Sequence, residues 1–192
     1  MKTVAVFGSG EGNPGESRYD AMKLVGILLA AKGARIITGG YGGSGMQAPI
    51  EGVYHGRGHS TGYVLACRKK DPNPYLGNVV VCGKDVVVEP NNEAMQYSLR
   101  LGLLLQADGF VVDPSDPTFG TAVEFFSVVN LNEKFWQKNQ KPIVLFSERY
   151  RIESYPLVRL VKEKIQRPSY LKHTADPEQA VQWLWSCMNL AK

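Results

Sequence analysis

Short apolar runs that end in or just before glycine, alternating with stretches of helical period, constrain this chain more than any other feature. "TVAVFG" (Thr3–Gly8) is a continuous apolar run, the pattern of a strand buried on both faces. The segment after it sets Ala21, Leu24, Val25, Leu28 and Leu29 at helical spacing and stops at Gly33. "ARIIT" (Ala34–Thr38) reads as a second strand. Gly45–Gly58 reads as a second helix, softened by Pro49 and Gly52, and "STGYVLA" (Ser60–Ala66) as a third strand. Two valine runs around Gly83 predict one strand and a turn. "NNEAMQYSLRLGLLLQA" predicts a helix capped by Asn91 or Asn92. "DGFVVD" (Asp108–Asp113) predicts a strand, Thr118–Gln137 a long helix, and "KPIVLF" (Lys141–Phe146) a last strand. Two helices are expected to close the chain, the second with Asp176 as its cap and Pro177 at its first position.

This alternation implies an α/β chain: a Rossmann-like open parallel sheet with helices on both faces, a three-layer sandwich. The 192 residues are read as a single domain, large enough to hold its core without disulfides. Cysteines Cys67, Cys82 and Cys187 are odd in number and far apart, so neither a disulfide framework nor a zinc site is expected, and a reducing cytoplasm is the default location. No run of about 18 apolar residues occurs, so no membrane partner is expected. The net charge of +4 is mild, and "CRKK" (Cys67–Lys70) is the one tight basic cluster. It is read as a solvated loop, and no nucleic-acid partner is expected. His55 and His59 stand four apart without a nearby third ligand, so they are read as a helix face. Neither a metal nor a cofactor is expected.

In such sheets ligands sit beyond the carboxyl ends of the strands, where strand order reverses. Three loops rich in glycine and proline fall there: Gly8–Gly15, Gly39–Gly45, and "DPSDPTFGT" (Asp113–Thr121). Glycine lets backbone N–H groups come close to a ligand, and a helix N-terminus favours a phosphate. Gly8, Ser9, Gly39, Gly40, Gly42, Gly43, Gly45, Thr118, Gly120 and Thr121 are therefore candidates to hold a phosphorylated small molecule, with a nucleotide as the expected class. No GK[ST] follows the glycines, "GSGEG" is not a full dinucleotide fingerprint, and no acidic residue ends the second strand. A P-loop and a dinucleotide dehydrogenase are both poor fits.

The stretch from Val4 to Leu65, with "ADGFVVDPSDPTFGTAVEFF" further on, resembles the Lonely Guy family of nucleoside 5′-monophosphate phosphoribohydrolases, long labelled lysine decarboxylases. Molybdenum-cofactor carrier proteins and the core of DNA-processing proteins belong to the same superfamily. The most specific element is Gly120-Thr121-x-x-Glu124, similar to the family's PGGxGTxxE. The resemblance implies cleavage of the N-glycosidic bond of a nucleoside monophosphate, releasing free base and ribose 5-phosphate. It implies a carboxylate role for Glu124, an arginine paired with it, and Met46 near the ligand. Asp116-Pro117-Thr118 stand where the family has PGG. Counting back from Asp108 puts the family arginine at Leu99, whereas the arginine present is Arg100, about 100° round a helix. A non-catalytic carrier or sensor of a nucleotide or molybdenum cofactor is the alternative. A homodimer or higher homo-oligomer is implied by the resemblance and by the strongly apolar helix at Thr121–Trp136.

Overall fold

The computed structural model describes residues 1–68, 70–85, 92–115, 118–147, 159, 161, 163 and 168–190. Seven strands form one sheet: β1 (Thr3–Phe7), β2 (Arg35–Thr38), β3 (His59–Leu65), β4 (Asn78–Cys82), β5 (Gly109–Val112), β6 (Ile143–Phe146) and β7 (Leu171–Thr174). All pair in parallel, in the order β4-β3-β2-β1-β5-β6-β7. The helices are α1 (Ser17–Ala31), α2 (Gln47–His55), α3 (Glu93–Leu104), α4 (Phe119–Lys134) and α5 (Pro177–Leu190).

Strand residues alternate between two cores. Val4, Val6, Ile36, Val111 and Val144 face α1, α2 and α5, while Ala5, Phe7, Ile37, Phe110 and Val112 face α3 and α4. Both faces are covered, which is why these runs read as uniformly apolar. The α/β three-layer expectation is met.

Local signals act as anticipated at several ends. Gly33 takes a positive φ of 72° just past α1. Asn92 Oδ1 accepts from Met95 N–H at 2.9 Å and caps α3. Asp176 Oδ1 accepts from Glu178 N–H at 2.8 Å at the start of α5. Asn91 and the second valine run lie outside the described residues, as does most of the stretch where the first of the two expected C-terminal helices falls, of which residues 159, 161 and 163 are helical. One strand was not anticipated: β7, "LKHT", carries Lys172 and His173 and, among the described residues, pairs only with β6. An edge strand of this polarity lacks the apolar run that marked the others. No helix among the described residues is long and apolar enough to cross a membrane. His55 Nε2 lies 3.5 Å from Glu51 Oε1 within α2, while His59 opens β3.

Candidate functional site

The chain runs outward from β1 through β2 and β3 to β4, then returns to place β5 on the other side of β1. The loops leaving β1 and β5 therefore diverge, and a crevice opens between them at the carboxyl edge. A cavity of about 690 Å³ occupies it. Gly8, Gly10 and Glu11 line it from beyond β1, Tyr41 and Met46 from beyond β2, and Leu65, Arg68 and Lys70 from the end of β3. Tyr97 and Arg100 enter from α3, and Thr118, Phe119, Gly120, Thr121, Val123 and Glu124 from α4.

At its floor is a buried ion pair. Arg100 Nη1 lies 3.3 Å from Glu124 Oε1, and Arg100 Nε donates to the Tyr63 carbonyl at 2.8 Å. Arg100 and Glu124 are 8% and 7% exposed, so neither is a solvated helix residue. Arg100 shares the inner face of α3 with Gln96 and Leu104, four residues apart as one helical stripe requires. The count from Asp108 that favoured Leu99 is thus out of phase by one residue. Burial pushes the Glu124 carboxyl up to about 7, against the opposing pull of the Arg100 charge. A carboxylate poised near neutrality can take up or give a proton at physiological pH.

Thr118 is the N-cap of α4. Its Oγ1 accepts from Thr121 N–H at 3.2 Å and lies 3.1 Å from Thr121 Oγ1. The cap leaves Phe119 and Gly120 at the open start of the helix, where N–H groups lack intrahelical acceptors and the dipole favours an anion. Glu124 follows one turn later, on the side of α4 that meets Arg100. Asp116 and Pro117 lie outside the described residues.

The two glycine loops have a different relation to the cavity. A Cβ at Gly8 would stand 2.6 Å from Gly45 Cα, and one at Gly45 would overlap the Gly8 backbone. Gly45 N–H donates to the Ser9 carbonyl at 3.0 Å, and Ser44 N–H to the Glu11 carbonyl at 2.7 Å. These glycines bring two loops into backbone contact, and those N–H groups are already bonded. Gly39 makes room for Arg100: a Cβ there would collide with Nη2 and stand 2.9 Å from Met46 Sδ. Of the sequence-predicted set, Gly8, Met46, Arg100, Thr118, Gly120, Thr121 and Glu124 line the cavity. Ser9, Gly39, Gly40, Gly42, Gly43 and Gly45 are not part of its lining, and Gly39, Gly40, Gly43 and Gly45 are packed against neighbouring chain instead.

Sequence reasoning missed other members. Tyr41 is 1% exposed, and its hydroxyl accepts from Leu65 N–H at 2.9 Å. Burial first, and Glu124 second, raise the Tyr97 phenol above its ordinary value. On the same edge, Arg18 Nε lies 2.5 Å from Oδ2 of the buried Asp113. The other Asp113 oxygen accepts from Ser115 N–H at 2.9 Å. Arg68 and Lys70 come from the basic cluster read as a solvated loop; its place directly after the third strand was the available signal.

The model of the SLOG cluster4 family matches residues 1–181. No curated protein matches the sequence significantly. Among solved structures, the structural-genomics protein TM1055 aligns with a TM-score of 0.67 at 23% identity, covering 97% of this chain and 99% of that one. The molybdenum cofactor carrier protein of Chlamydomonas reinhardtii aligns with a TM-score of 0.67 at 19% identity, covering 100% and 99%. DNA processing protein A of Helicobacter pylori, solved to describe its single-stranded DNA binding mode, aligns with a TM-score of 0.63 at 16% identity, covering 96% and 80%. At these identities the likeness is one of fold, and it gives no support to the expectation that nucleic acid is not a partner.

Proposed function

The chain belongs to the SLOG cluster4 family, and within that fold we propose that it is a nucleoside 5′-monophosphate phosphoribohydrolase. The observation that carries this reading is the Arg100–Glu124 pair, buried beside the open start of α4 in one cavity. The 5′-phosphate sits against Thr118, Gly120 and Thr121, where the helix dipole favours it. Glu124 then lies under the sugar. Water adds to C1′ and the C1′–N bond breaks, its electron pair leaving on the base nitrogen. One water proton remains in the new anomeric hydroxyl. The other is taken by Glu124 and ends on the departing base. Arg100 holds the carboxylate in place, and the ionised glutamate stabilises the cationic sugar in the transition state. Tyr41, Tyr97 and Met46 offer the apolar walls a base needs. The active form is a homodimer in this reading.

A second reading is a carrier that holds its ligand intact, as the name of the Chlamydomonas neighbour describes for that protein. It is favoured by the Ser44 and Gly45 N–H groups, which are spent on the Glu11 and Ser9 carbonyls rather than left for a phosphate. Incubation with AMP, GMP, CMP and an N6-substituted AMP, followed by chromatography, separates the two. Base release that is lost in Glu124→Ala supports the hydrolase. Thermal stabilisation by a nucleotide without release supports the carrier, and neither response removes both readings.

A further inference from the structure

Besides Arg100, the cavity is lined by two further cations. Arg68 and Lys70 line it from the loop after β3, whereas the phosphate reading places its anion on α4, after β5. Between β3 and β5 lie β2 and β1, so these cations and the start of α4 reach the cavity from the loops of different strands.

The loop that carries these cations is held by its backbone. Ala66 N–H donates to the Cys82 carbonyl at 3.0 Å, Arg68 N–H to Leu65 at 3.1 Å and Lys70 N–H to Arg68 at 2.8 Å. Cys67 N–H donates to Gln96 Oε1 at 3.0 Å, and Gln96 is 1% exposed. The Arg68 guanidinium carbon stands 4.8 Å from the centre of the Tyr41 ring, and that ring is itself fixed through its hydroxyl to Leu65 N–H. Stacking on a buried, anchored ring keeps the guanidinium planar fork in one place while its N–H edge stays accessible. Among the described residues, neither Arg68 nor Lys70 pairs with a carboxylate. Among the described lining residues, Glu11 is the one carboxylate besides Glu124, and it comes from the β1 loop.

We propose that the ligand of this cavity is two-ended: a phosphate at the start of α4, and a second anionic group, carried on the far side of the base, against Arg68 and Lys70. This rests on the nucleotide reading of the site and names the class of nucleotide it takes. A base bearing a carboxylate or phosphate on an extended substituent meets the requirement; one bearing a neutral alkyl tail does not.

Calorimetric titration with three probes tests it: AMP, N6-isopentenyl-AMP with a neutral tail, and adenylosuccinate, which is AMP with a dicarboxylate on N6. The wild type is expected to bind adenylosuccinate about tenfold tighter than the neutral-tailed probe, the effect of one charge-assisted contact. Arg68→Gln/Lys70→Gln is expected to erase that preference by bringing the adenylosuccinate affinity down to that of the neutral-tailed probe. Arg68→Lys, which keeps the charge, is expected to retain a preference even if the double variant is poorly folded. Equal affinity for the two tailed probes, or a preference that survives in a folded double variant, overturns the inference and leaves the nucleotide reading standing. Failure of AMP and both tailed probes to bind removes the nucleotide reading and this inference with it.

Discussion

Gly39→Ala probes the ion pair without altering either charged residue. The added methyl collides with Arg100 Nη2, the far end of a side chain that would yield cheaply if it were free. It is not free: Nε is bonded to Tyr63 O at 2.8 Å and Nη1 to Glu124 at 3.3 Å, with Arg100 only 8% exposed. The cost is therefore the loss of these contacts. Removing one partner of a buried pair costs about 3–5 kcal/mol. Because Arg100 lines the cavity, a displaced guanidinium regains water, and the lower end applies: about 3 kcal/mol, or a Tm lower by roughly 6–12 °C for a chain of this size. Glu124 loses its compensating charge, so its titration moves above 7. Gly102→Ala is the control. It sits exposed in the same helix with nothing within 4 Å of a new Cβ, and it should gain about 0.5–1 kcal/mol. Denaturant unfolding of both variants, with a pH profile of base release, provides the assay. If Gly39→Ala is as stable as Gly102→Ala and its profile is unmoved, Arg100 is not held by Glu124 and the reasoning fails.

Glu124 itself makes stability depend on pH. Below its ordinary value of 4.5 it is protonated folded and unfolded. Between 4.5 and about 7 the unfolded carboxylate ionises while the buried one keeps its proton. Stability should therefore fall by about 3 kcal/mol as pH rises across that window, then level off, and Glu124→Gln should flatten this slope in denaturant melts. Arg18→Ala leaves the carboxylate of Asp113, 1% exposed, without its charge partner; unfolding should show a loss of about 2–3 kcal/mol, below the full buried-pair value because Arg18 is partly solvated. Thr118→Val removes the α4 cap. It should cost about 1 kcal/mol in the same assay and weaken AMP binding, since the helix start is no longer held open.

The fold was legible wherever burial on both faces wrote itself as an unbroken apolar run. β1, β2, β5 and β6 came from such runs, and β7 did not because an edge strand tolerates Lys172 and His173. Within α3 the inner stripe contains Gln96 and Arg100, which read as a solvent face until their partners are known. That is why the helix phase, and with it the arginine, could not be set by counting. Glu124 was legible through its place one turn into α4. The glycine loops were legible as special backbone but not as to what they approach: a glycine pattern looks the same whether it clears space for a ligand, for a second loop, or for a guanidinium. Arg68 and Lys70 were hidden for a related reason, since a basic cluster after a strand looks solvated unless the cavity behind it is seen.

The most direct measurement is the position of a bound phosphate, from a crystal structure of the Glu124→Gln variant soaked with AMP. The account predicts phosphate oxygens within hydrogen-bond distance of Gly120 and Thr121 at the start of α4, with the ribose over residue 124. A phosphate seated on the Gly39–Gly45 loop, with α4 untouched, would contradict it.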